Sequence, residues 1–471
     1  MLVVGAALTL GGCLGFGEKD EQLSEGEHAT FAVLEQRPFS EPPELRSENG
    51  ELASTLTVGA GPVEVSGTDV VGKSYNGSFP GPTMIVSPGD WIRLRFVNNL
   101  DQPTNIHFHG FHTSPSGIAD NVLRTIPAKR TVKVAVPVPP DMPPGLYWYH
   151  SHEHTISEEQ VFSGLSGAIV VEGVERLLPP ELRGVEQRLF ALKDVQVKDG
   201  AIVTENINSD APTTRTVNGL VDPELQIAPG ETQLWRFANI GADIWYHVYF
   251  DGLPFHVIGE DANPVGRVWR KKELLLPPGK RYDALVRGPE SGDYELKTLA
   301  YSTGKEGDSY PERTLASVTS RGDPVEPPAL PTSLAPIPHI PASEVDRHRQ
   351  FSFSESDNGN QFFINGKQFN HHRVDVHARL GDTEEWRITN ASKEQHPFHI
   401  HINDFEVISV NGKPYRARSL QDTVPLPVGG TVIIRQRFTQ FSGKFVYHCH
   451  ILAHEDNGMM GLIEVSGPKA H

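Results

Sequence analysis

The chain has 471 residues, enough for about three domains of ordinary size. Its 44 Gly and 38 Pro beside 38% hydrophobic residues fit a loop-rich all-β protein better than a helical one. A formal net charge of −17 argues against nucleic acid and anionic membrane surfaces as partners, and the only cysteines are Cys13 and Cys449.

Residues 1–12 are small and apolar, and Leu10-Gly11-Gly12-Cys13 is similar to the lipobox of bacterial or archaeal lipoproteins. The basic region that should precede such a leader is missing. Residues 1–27 are therefore read as an export signal followed by a polar, acidic tether. The protein is expected in the periplasm, outside the cell, or held at the envelope through a lipid on Cys13. No other stretch approaches the ~20 apolar residues needed to span a bilayer.

Three stretches then echo one another. Tyr75-Asn76-Gly77, Pro88-Gly89-Asp90-Trp91 and Phe96-Val97-Asn98 return as Val217-Asn218-Gly219, Pro229-Gly230-Glu231 and Trp235-Arg236-Phe237-Ala238-Asn239. They return again as Ile364-Asn365-Gly366, Leu380-Gly381-Asp382 and Trp386-Arg387-Ile388-Thr389-Asn390. Spacings of 142 and 147 residues between the Asn-Gly pairs are domain-sized. Alternation at Ile92, Leu94 and Phe96, and at Val132, Val134 and Val136, predicts strands, and short strands with Gly, Pro and Asn turns predict Greek-key sandwiches. The expected domains are 28–175, 185–322 and 345–471, with a Pro-rich linker at 323–344.

The copies differ in what they carry. Histidines at i and i+2 on a strand point to one face, and such pairs stand at His107/His109, His150/His152, His399/His401 and His448/His450. Eight imidazoles divided between the first and third domains suit a metal cluster better than one ion. Gly145 to His152 aligns with Gly443 to His450, so Ser151 stands where the third copy has Cys449, and the middle copy has neither His nor Cys there. Cys449, His454 five residues on and Met459 ten residues on describe a blue-copper site of thiolate, imidazole and weak axial thioether. A second imidazole must come from elsewhere, and the segment His396 to His401 offers one. His448 and His450 flank Cys449 and point away from its metal, so a second centre adjoins the first through the backbone.

On these motifs, from about Ala53 to Val465, the chain resembles the three-domain multicopper oxidases, the laccase group. The resemblance implies three cupredoxin-like sandwiches, a copperless middle domain and four coppers. It implies His396, Cys449, His454 and Met459 at the type 1 copper, and His107 and His399 at the type 2. One type 3 copper would be held by His109, His150 and His450, the other by His152, His401 and His448. Substrate electrons would enter beside His454 and pass through Cys449 to the cluster, which reduces dioxygen to water. Asp120 and Glu455 resemble family acids that relay protons. The electron donor is expected to be a phenol or aromatic amine, as in laccases. A metal oxidase acting on Cu(I), Fe(II) or Mn(II) is the alternative, although the Met-rich insert of the cuprous oxidases is missing. A copper-free structural relative is disfavoured because no ligand is lost.

Overall fold

The computed structural model describes residues 36–205, 207, 212–336 and 339–468; the leader and Cys13 lie outside the described residues. Six large sheets pair into three sandwiches in chain order. In the first, Glu51–Val65, Thr68–Tyr75, Trp91–Asn98 and Thr131–Pro137 form one layer, and Gly81–Val86, Ser166–Val171, Gly145–His150 and His107–His109 the other. Two short strands beyond the first sandwich, Val197–Lys198 and Ala201–Ile202, extend its larger sheet at the Thr68–Tyr75 edge.

The repeat has a physical basis at each of its positions. Each Asn-Gly pair sits at positive φ in both residues (54–57° for Asn76, Asn218 and Asn365; 69–83° for Gly77, Gly219 and Gly366), the tight turn that only such pairs adopt readily. Each closing Asn is buried and spends its side-chain amide on backbone carbonyls: Asn98 on Gln102, Ile126 and Pro127, Asn239 on Ile244 and Leu276, Asn390 on Glu394 and Leu426. Buried amides left unpaired would cost roughly 1–3 kcal/mol each, so these positions tolerate little else. Each sandwich also pairs its first long strand parallel to the strand ending in that Asn: Glu51–Val65 with Trp91–Asn98, Gln187–Val195 with Thr232–Asn239, Arg347–Glu355 with Thr383–Asn390. Along Trp91–Asn98 the expected alternation appears, with Ile92, Leu94 and Phe96 buried.

Sandwiches one and three present matching sheet ends. His107 lies opposite His150 across one antiparallel pair, and His399 lies opposite His448 across another. Three of the four partners, His152, His401 and His450, fall just past their strands' ends, so the second imidazole of these pairs comes from the turn, whereas His109 stays in the ladder.

Candidate metal centres

Cys449 ends the strand Gly443–Cys449, His396 begins the strand His396–Ile400, and His454 lies on the short helix Leu452–Asp456. Cys449 Sγ is 3.6 Å from His396 Nδ1 and 3.7 Å from His454 Nδ1, and the two nitrogens are 3.1 Å apart. Ligands at about 2.0–2.3 Å from one ion in a roughly tetrahedral shell have N···N and N···S separations of about 3.3 and 3.6 Å. The outer nitrogens are held from behind: His396 Nε2 lies 2.6 Å from Ser392 Oγ, and His454 Nε2 lies 3.3 Å from Glu394 Oε1. Met459 is fully buried in the same core as Cys449, and its carbonyl accepts the Cys449 N–H.

The eight paired histidines meet between sandwiches one and three, and all are buried. His107 stacks on His401 at 3.9 Å and 9°, and His109 stacks on His399 at 3.8 Å and 14°, so the two domains' pairs face each other with approximate twofold symmetry. His448 Nε2 lies 3.3 Å from His152 Nε2 and 3.2 Å from His401 Nε2; His109 Nδ1 lies 3.2 Å from His450 Nε2. Ligand atoms of His107, His109 and His150, of His107, His399 and His401, and of His152, His401 and His448 each fall within 4.8 Å of one another.

The other face of most of these rings is tied down. His107 Nδ1 is 3.0 Å from both Asp120 oxygens, His150 Nδ1 donates to the Ser151 carbonyl, and His448 Nδ1 to the Cys449 carbonyl. His399 Nδ1 donates to the Asp422 carbonyl and His109 Nε2 to the Asp422 carboxylate. Glu455 places one oxygen 3.3 Å from His152 Nδ1 and the other 3.3 Å from His448 Nδ1. Fixing one nitrogen in this way presents the other as a lone pair, the usual arrangement around metal-bound histidine.

The nitrogens left over make the case for a cation. His107 Nε2, His150 Nε2 and His399 Nε2 are buried without a hydrogen-bond partner. Burial, reinforced by the neighbouring imidazoles, holds most of these rings well below the usual histidine range, with His448 down to about 3; burial alone does the same for His396. Neutral lone pairs converging in a buried site without hydrogen-bond donors are costly unless something electron-poor binds them. Imidazole with thiolate suits copper, and imidazole alone suits copper, zinc or iron.

Several residues essential to this geometry carry no sequence signal. Asp422 orients two of the imidazoles and is gripped by Arg281 through two 2.7 Å hydrogen bonds. Arg281 belongs to sandwich two, and also donates to the Leu146 carbonyl of sandwich one. Beside it, a Cβ on Gly279 (φ +85°) would come within 2.9 Å of His450 and 3.0 Å of His109. The middle domain offers no imidazole here, its His247 pairing with Glu273 near the surface, yet its Pro277-Pro278-Gly279 turn forms one wall of the cluster.

Residues 57–176, 147–317 and 342–468 match three family models, each described as Multicopper oxidase. The chain is 27% identical to Multicopper oxidase mco of Staphylococcus aureus over 434 residues, covering 89% of this chain and 90% of that protein. Its fold superposes on the multicopper oxidase of Campylobacter jejuni, described as a metallo-oxidase, with a TM-score of 0.80 and 28% identity over 91% of this chain and 95% of that one. A laccase from Pediococcus acidilactici gives a TM-score of 0.81 and 27% identity, covering 93% and 95%.

Proposed function

We propose that this chain, which belongs to the multicopper oxidase family, is a laccase-like oxidase that takes single electrons from phenols or aromatic amines at the Cys449 site. The family implies a copper oxidoreductase with dioxygen as acceptor. In our reading His396, Cys449, His454 and Met459 hold a type 1 copper, and His107 and His399 a type 2. The type 3 pair falls to His109, His150 and His450 on one side and His152, His401 and His448 on the other. Bound copper supplies one-electron chemistry at the thiolate and, as a cluster, the four-electron reduction of dioxygen to water.

The protein's own part is connection and proton handling. Cys449 is joined to both flanking histidines by single peptide units, and its carbonyl accepts a 2.8 Å hydrogen bond from His448 Nδ1, which makes a short bonded path between the centres. The observation that carries the donor assignment is Glu394. It lies 3.3 Å from Nε2 of His454, the more exposed of the two imidazoles at this site, where burial raises it to about 8, so that its ionised form, a base matched to near-neutral pH, can receive the proton a phenol sheds on losing an electron. Glu394→Gln should lower kcat/KM for phenols by about 10²-fold or more, while a donor that yields only an electron, such as ferrocyanide, is much less affected. Equal effects on both would refute the assignment.

Acidic neighbours support a second reading, oxidation of Fe(II), Cu(I) or Mn(II). Burial, with Glu355 (hydrogen-bonded to Glu394) and Asp308, pushes Glu394 up to about 8, so the acidic neighbours Glu355 and Asp308 rather than Glu394 itself would make the approach favourable to a cation. Oxygen uptake by copper-loaded enzyme with a phenol panel against Cu(I) and Fe(II) separates the two: a metal donor should lose affinity in both Glu355→Gln and Glu394→Gln, a phenol chiefly in Glu394→Gln. Export and lipidation of Cys13 are proposed from the leader alone; Cys13→Ala should release the native-host protein from membranes, and unchanged partitioning would exclude the anchor.

A further inference from the structure

The run His150-Ser151-His152-Glu153-His154 carries the i, i+2 histidine spacing one step past the cluster. His154 does not turn into the cluster. Immediately after it Thr155 holds φ at 78°, an unusual conformation for a β-branched residue, and its N–H is fixed by Asp456 at 2.7 Å. This turn sends His154 into a pocket of about 220 Å³ beside the cluster, which His152 borders on one side and which is walled by Val122, Phe369, His371, Val446 and Met460.

Two buried polar atoms in that pocket have no partner, His154 Nδ1 and Glu153 Oε2, the other Glu153 oxygen being taken by Thr125. His154 and the exposed His371 meet at 5.4 Å between ring centroids and 77° between planes. That matches His396 with His454 (5.0 Å, 71°) and His401 with His448 (5.3 Å, 69°), pairs whose nitrogens already lie at ligand spacing. Phe369 packs edge-on against both rings at 4.9 Å and limits their alternatives. Two imidazoles, a free carboxylate oxygen and the thioether-bearing Met460 wall make a donor set that is soft enough for copper and easily reached from solvent.

We infer that His154 and His371 bind a copper ion at a site separate from the cluster and from the Cys449 centre. The inference does not depend on which donor the enzyme oxidises. The test uses copper-loaded enzyme, fully reduced under anaerobic conditions and titrated with Cu(I) against a chromophoric Cu(I) chelator. Wild type should take up about one more copper per chain than His371→Ala or His154→Phe, with at least ~10-fold weaker binding in either variant. Reoxidised in air, all three should show the same blue band, which reports the Cys449 copper, and the same rate of substrate-driven oxygen uptake, which reports the cluster. Equal uptake by wild type and His371→Ala overturns the site; since His371 is exposed, that variant decides the matter even if His154→Phe fails to fold.

Discussion

Glu455 touches one imidazole from each half of the cluster, His152 and His448, and its Oε2 has no hydrogen-bond partner although it lies 3.3 Å from His448 Nδ1. Ser157 donates to its other oxygen, and burial raises its pKa well above the usual carboxylate range. A carboxyl that holds its proton in this position is suited to deliver it to reduced oxygen. Asp120 is equally buried but engages only His107, with its Oδ1 also taking the Phe108 N–H. Asp120→Asn and Glu455→Gln should bind copper and accept electrons anaerobically, with reoxidation by dioxygen slowed by roughly 10²–10⁴-fold. Stopped-flow reoxidation at the wild-type rate in both variants would remove them from the mechanism. Both acids were legible through their resemblance to family acids, Glu455 directly following His454 and Asp120 following the His107/His109 motif. Asp422 and Glu394 were not. Asp422 reaches His109 across 313 residues of sequence, and nothing local distinguishes it from an ordinary strand-end acid.

At the level of elements, the Gly279 turn shows how a segment without a ligand shapes the ligands. Its positive φ disfavours any side chain, and the missing Cβ leaves room for His109 and His450. Gly279→Ala should displace both rings, costing about 1–3 kcal/mol in backbone strain. Copper should fall at the cluster while the blue band from the Cys449 site is retained; unchanged copper content with unchanged stability would contradict this wall. The strands themselves were readable from period-2 alternation and the Asn-Gly turns, because each is set by local conformational preference. The packing of Pro277-Pro278-Gly279 onto the cluster was hidden, because it depends on how sandwich two docks and not on its own pattern. His112 has a similar explanation. It serves no cluster ligand directly but pairs with Asp404 at 3.0 Å; burial pulls the imidazole down, and Asp404 together with Asp422 and Asp141 more than offsets this and raises it.

At the scale of the whole molecule, the three sandwiches are locked by buried charge. Lys280 reaches Glu260 and Asp261 of its own domain and Gln421 and the Thr423 carbonyl of sandwich three, while Arg281 joins all three domains. Arg281→Met would leave Asp422 buried without its cation, a loss of roughly 3–5 kcal/mol, and thermal unfolding should show it as a lowered Tm even in the copper-free protein. An unchanged Tm would mean that Asp422 is satisfied without Arg281. In the function proposed above, the thiolate-bearing site and the histidine cluster walled by three domains hold separate coppers joined through Cys449. Copper analysis with visible spectra on wild type and Cys449→Ser tests it most directly. Wild type should be blue with about four coppers per chain, and the variant colourless, keeping about three and no longer oxidising substrate. A variant as blue as wild type, or one that loses the cluster copper together with the colour, would contradict it.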